Sequence, residues 1–96
     1  MSIKITNPEN PHDVIDVYQD SKSVGAVFHR VDGWVACYRR GGDDLPASFG
    51  EPHPNEESAI GEILDNVCGL SPTCRDFLLL SWLQAEQGQP FVQVAA

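Results

Sequence analysis

Cys37, Cys68 and Cys74, with His12, His29 and His53, are the side chains of this chain that can supply a nucleophile, a base or a soft metal ligand. A nucleophilic thiol needs a base within reach and a polar, partly exposed setting. Cys37 falls in a β-prone run, and His29 is the histidine nearest to it across an expected hairpin. The pleat puts these two side chains on opposite faces of a sheet, so Cys37 reads as a packed thiol. Cys68 and Cys74 fall at expected helix ends, separated by five residues that include no His. That spacing fits no zinc pattern, and an odd number of cysteines reads as reduced thiols in a cytoplasm.

The carboxylates offer a second kind of chemistry. Asp43-Asp44 and Glu56-Glu57 are adjacent pairs. Acid–base work needs two carboxylates in different environments, whereas neighbours in sequence diverge into solvent. Asp43, Asp44 and Glu51 lack the alternating oxygen ligands of a calcium loop. Gly41-Gly42 follows Arg39-Arg40, but no phosphate-cradling glycine motif with a following Lys is present. The residues therefore lead us to expect no catalytic site, no metal and no cofactor, and a protein that is not an enzyme.

Charge is distributed unevenly. The chain carries a formal net charge of −8 at pH 7. Residues 41–74 contain no Lys or Arg, yet hold Asp43, Asp44, Glu51, Glu56, Glu57, Glu62 and Asp65. An acidic balance disfavours phosphate binding, which depends on clustered cations releasing counterions, and it disfavours an anionic membrane surface. The longest apolar cluster, Phe77–Leu80 with Trp82 and Leu83, is too short to span a bilayer. No long apolar run follows Met1, so no secretory segment is expected.

These residues must be positioned by elements that the pattern also predicts. Ninety-six residues suffice for one domain with a single core. Ile3 and Ile5 alternate with polar neighbours as a short edge strand, and Val14 to Tyr18 reads as another strand. Val24 to Val31 and Trp34 to Arg40 flank Asp32-Gly33, a strong hairpin signal. A turn on those two residues pairs Val31 with Trp34, His29 with Ala36 and Val27 with Tyr38. On the other face it pairs Arg30 with Val35, Phe28 with Cys37 and Ala26 with Arg39. The face of Ala26, Phe28, Val35 and Cys37 is expected to bury its middle, and the aromatic face of Val27, Val31, Trp34 and Tyr38 to be half exposed or covered by the termini.

Residues 41–54 read as a long loop rich in Pro and Gly, pinned by Leu45 and Phe49. Asn55 is a good N-cap ahead of Glu56 and Glu57, and Gly69 is a helix stop. Ala59, Ile60, Ile63, Leu64 and Val67 share one helical face, with Glu62, Asp65 and Asn66 opposite. Ser71-Pro72 opens a second helix running to about Gln87. Its apolar residues wrap past half of its circumference, which suits a central helix or an oligomer contact. Phe91, Val92 and Val94 suit a terminal strand. The fold class expected is α+β: a three-stranded antiparallel sheet, four-stranded with that terminal addition, and two helices on one face.

The order of a hairpin with Asp32-Gly33-Trp34-Val35-Ala36, a Pro-rich loop and an acidic helix with Glu56-Glu57-Ser58-Ala59-Ile60 resembles small accessory proteins of phages and mobile elements. Anti-CRISPR proteins belong to that class, and some are acidic inhibitors of a defence complex's nucleic-acid site. The resemblance implies a binding role and assigns no residues.

The leading expectation is thus a protein-binding module that presents Asp43, Asp44, Phe49, Glu51, Glu56, Glu57, Glu62 and Asp65 to a basic protein surface, such as that of a nucleic-acid-binding protein. A second is a homodimeric assembly protein joined through Phe77, Leu80 and Trp82. A third is a nucleic-acid binder using Arg30, Arg39, Arg40, Trp34 and Tyr38. The net charge argues against direct nucleic-acid binding.

Overall fold

The computed structural model describes residues 2–8, 14–39 and 47–84, and the backbone of 91–95. The expectations placed on His12, Arg40, Asp43, Asp44 and Leu45 lie outside the described residues. Within them the chain is α+β. The strands are β1 (Ser2–Thr6), β2 (Ile15–Gln19), β3 (Lys22–Arg30), β4 (Gly33–Tyr38), β5 (Ser48–Phe49) and β6 (Phe91–Ala95). The helices are α1 (Glu56–Ile63), which runs on into a π-helical turn over Leu64–Cys68, and α2 (Pro72–Gln84). All strand pairs are antiparallel, in the order β5-β4-β3-β2-β1-β6.

The sheet is wider than the three or four strands expected, for two reasons. β1 is an interior strand rather than an edge, because β6 pairs along it from Ser2↔Ala95 to Thr6↔Phe91. At the other side, the two-residue β5 adds Phe49 opposite Cys37.

The hairpins differ from expectation in an informative way. The β2–β3 turn is Asp20-Ser21, with φ of 52° and 69°, and Gln19 pairs with Lys22 across it. Positive φ at both central positions is the type I′ requirement. Asp20 offsets its strain with local bonds: its N–H donates to the Ser2 carbonyl at 2.8 Å, and its Oδ1 accepts from the Ser2 N–H at 2.8 Å.

In the β3–β4 hairpin the turn falls on Val31-Asp32, one residue earlier than expected. Arg30 pairs with Gly33, His29 with Trp34 and Phe28 with Val35. Gly33 opens the strand with φ +137°. A Cβ there would meet the His53 carbonyl oxygen at 2.5 Å. The glycine thus serves the close approach of a neighbouring segment, not the turn. A two-residue shift of partners leaves each side chain on its expected face, because the pleat repeats every two residues.

The aromatic face is covered, by the helices rather than the termini, and forms the core side of the sheet. Val27, Trp34, Ala36 and Tyr38 join the core, while Ala26, Phe28 and Cys37 on the other face are half-buried; Val35 there is buried as well. The reason lies in the helix layer. Ala59, Ile60, Ile63 and Leu64 are fully buried and pack with Leu78, Leu79 and Trp82 in one core with Ile3, Ile5, Ile15 and Val17. Those strand residues share the face of Val27, so the helices must cover that side. Gly25 admits Ile63, whose side-chain carbons would stand 3.0 Å from a Cβ at that position.

Helix ends follow local chemistry. Asn55 has extended backbone, and its side chain accepts from the Ser58 N–H at 2.9 Å. Gly69 ends the first helical run in the left-handed region, φ 63°, with its N–H on the Leu64 carbonyl. Ser71 Oγ accepts from the Cys74 N–H at 3.3 Å to open α2.

Two substitutions test this framework by urea denaturation. Ile63→Ala empties the contact between α1 and the sheet and should cost about 2–5 kcal/mol. Gly33→Ala should cost at least ~1–3 kcal/mol through backbone strain, with the His53 carbonyl in the way as well.

Candidate functional site

The acidic residues divide into groups with different surroundings. Glu51 is exposed in the segment after β5, and Glu56 and Glu57 are half-buried in the first turn of α1. Their carboxylates complement the positive end of the helix dipole. Asp43 and Asp44 lie outside the described residues.

Glu62 does not project outward as expected. His53 Nε2 and Glu62 Oε1 are 2.8 Å apart, with the two side chains 24% and 15% exposed. The local sequence explains the inward turn. The Gly50 N–H donates to the Ala36 carbonyl at 2.8 Å, and Trp34 and His53 exchange backbone hydrogen bonds of 2.9 and 2.7 Å. Residues 50–53 are therefore zipped along β4, and His53 is delivered to α1. Gly50 leaves the carboxylate its space, since a Cβ there would collide with it.

Asp65 is also partnered. Arg75 Nη1 reaches its Oδ1 and Oδ2 at 3.1 and 2.9 Å, and Arg75 bonds Asp76 at 3.1 Å. The hydrogen bonds it donates to Asp65, then Asp76, raise the guanidinium above its already high pKa. Arg75 thus neutralises part of the acidic surface from the opposite helix.

His53, Glu57, Glu62, Asp65, Arg75 and Asp76 line a groove of about 440 Å³ between α1 and the start of α2. Four carboxylates face one guanidinium there, with the His53 ring against Glu62. The geometry favours a cationic guest over an anionic one. Among the described residues no three His, Cys, Asp or Glu side chains are grouped as metal ligands.

The remaining site expectations are redistributed. Trp82 is buried in the core, where its Nε1–H donates to the Thr6 carbonyl at 3.0 Å, so it is no surface contact. Phe77 and Leu80 are exposed, together with Leu83. The arginine–aromatic patch is not assembled: Trp34 and Tyr38 are buried towards the helices and cannot stack a base. Arg30 instead lies over the Phe49 ring at 5.0 Å, and Phe49 meets Phe28 edge-on at 5.9 Å. Phe49 remains more than half exposed. Arg39 is exposed just beyond β4, and Arg40 lies outside the described residues.

The pairing of His53 with Glu62 and of Arg75 with Asp65 is not visible in the sequence. In each, the two partners lie nine or ten residues apart, beyond the i,i+4 reach that makes helix pairs readable.

Burial pushes the Cys68 thiol up to about 11. Its thiolate is scarce at neutral pH and its sulfur is shielded, whereas Cys74 is exposed. No family model, curated protein or solved structure matches this chain.

Two measurements check this arrangement. His53→Ala should lower stability by ~1–3 kcal/mol, since it strips a partner from a partly buried carboxylate. Glu57→Ala should stay within about 0.5 kcal/mol. Alkylation at pH 7.5, followed by mass spectrometry, should label Cys74 at least about tenfold faster than Cys68.

Proposed function

We propose that this chain is a non-enzymatic protein-binding module whose acidic helical layer meets a basic protein surface. In this reading it acts as an inhibitor, occupying a site that its partner uses for nucleic acid. The observation that carries it is the segregation of charge between the two layers. Among the described residues, Glu51, Glu56, Glu57, Glu62, Asp65 and Asp76 lie on or beside the helices, where the one cation is Arg75. Lys4, Lys22, Arg30 and Arg39 all lie in the strands or at their ends, where Asp16, Asp20 and Asp32 leave that layer close to neutral.

Such a one-sided distribution supports electrostatic steering. A face of one sign raises the association rate and rejects partners of the same sign. Glu56, Glu57 and Asp76 are its best-placed members: Glu62 is engaged by His53, Asp65 gives both carboxylate oxygens to Arg75, and exposed Asp76 meets Arg75 through Oδ1 alone. The non-enzymatic reading draws on the same geometry. His53 spends a ring nitrogen on Glu62, and the buried cysteine is held as a thiol.

Charge reversal tests the reading. The triple variant Glu56→Lys, Glu57→Lys, Asp76→Lys should lose captured basic proteins from a host lysate by at least about tenfold, with an unchanged circular dichroism spectrum. Capture that survives reversal would overturn it.

A further inference from the structure

Helix α2 carries more apolar surface than the sheet covers. Leu78, Leu79 and Trp82 fill the core side, while Phe77, Leu80 and Leu83 remain 62%, 52% and 49% exposed. Their spacing of three lays them along one side of the helix over about 9 Å. Three large exposed side chains on one stripe differ from scattered surface leucines, because a contiguous apolar patch marks an interaction surface.

The stripe is continuous with the acidic groove. Asp76 lines the groove and stands four residues before Leu80, and Leu79 lines it four residues before Leu83. Residues four apart are neighbours on a helix. One surface therefore offers an apolar ridge and, along its flank, the carboxylates of Asp76 and Glu57.

We propose that this surface docks a short basic amphipathic helix of the partner protein. Its apolar side chains cover Phe77, Leu80 and Leu83, and its Lys or Arg side chains reach over the groove's lip to Asp76 and Glu57. Apolar anchors at i and i+3 with charges to one side are the signature of a helix laid along a groove. The apolar contacts slow dissociation and the carboxylates select a cationic face. A second copy of this chain is a poorer occupant, since both copies carry a net charge of −8 and the same acidic lip flanks the ridge on each. The inference rests on the acidic-layer reading above and adds to it a definite ridge and the helical form of the partner.

The test is a titration of the ¹⁵N-labelled protein with an 18-residue peptide of Leu and Lys arranged on opposite faces of a helix. A peptide of the same composition, scrambled to destroy the apolar face, is the control. The amphipathic peptide should shift the amide signals of Asp76, Phe77, Leu80 and Leu83. It should bind about tenfold more tightly than the scrambled one. Leu80→Asp should remove that preference while leaving the melting temperature within a few degrees.

Equal binding of both peptides, insensitive to Leu80→Asp but lost in the Glu56/Glu57/Asp76 reversal, would overturn the docking proposal and leave the acidic-layer reading standing. Binding of neither peptide would overturn the docking proposal, with lysate capture still deciding the wider reading. A dimer in analytical ultracentrifugation that Leu80→Asp dissociates would also overturn it, by assigning the ridge to a second copy.

Discussion

The backbone exchange between Trp34 and His53 is the contact on which the helix layer's placement depends. Trp34 sits in β4 with its ring in the core, stacked on His29 at 4.4 Å. His53 lies three residues before the start of α1, and its ring reaches Glu62 two turns into that helix. A short segment is thus bonded to the sheet through its main chain and to the helix through its side chain. This fixes where α1 begins and how it is rotated about its axis. Once that rotation is set, Ile60, Ile63 and Leu64 meet the sheet, and the acids of the first turn are left outside. Gly33 and Gly50 are the two places where this arrangement tolerates no Cβ.

That rotation also decides which charges are available to a partner. Glu62 and Asp65 belong by sequence to the acidic segment, but they serve the fold as partners of His53 and Arg75. Glu56 and Glu57 stand at the rim, with Asp76 beside them sharing Arg75 through one oxygen. The surface is therefore smaller and more sharply bounded than the run of acids suggests. Its boundary on α2 is apolar, because the core takes only one side of a helix that is apolar on most of its circumference. Acidity and the apolar ridge are two results of one packing choice.

Much of the local structure was legible because it depends on near neighbours in sequence. Asn55, Gly69 and Ser71 act as the caps their types suggest, and the face grouping of the β3–β4 hairpin follows from the pleat. What was not legible depends on segments far apart. The choice of buried face turns on Ile5, Val17 and Val27 sharing a side, which no single hairpin reveals. Trp34 and Tyr38 suited a face half exposed or covered by the termini, whereas the helices supply the layer that covers them. Within the candidate site, the first-turn acids were readable, whereas the internal partners of Glu62 and Asp65 were not. Trp82 was indistinguishable from Phe77 and Leu80 by type. Only its hydrogen bond to Thr6 separates an interior residue from its exposed neighbours on the same helix.

The pairing of β1 with β6 has a consequence for how the chain is made. β1 is synthesised early, yet one of its two hydrogen-bonding edges is satisfied only by residues 91–95. Until that late segment is available, Ser2 to Thr6 present an unpaired edge, the kind of template on which other strands add. The same ends are tied a second time by Trp82 on Thr6, a contact between residues 76 apart in sequence. Closing the sheet therefore depends on pairing segments far apart in sequence, the non-local kind of contact that slows folding.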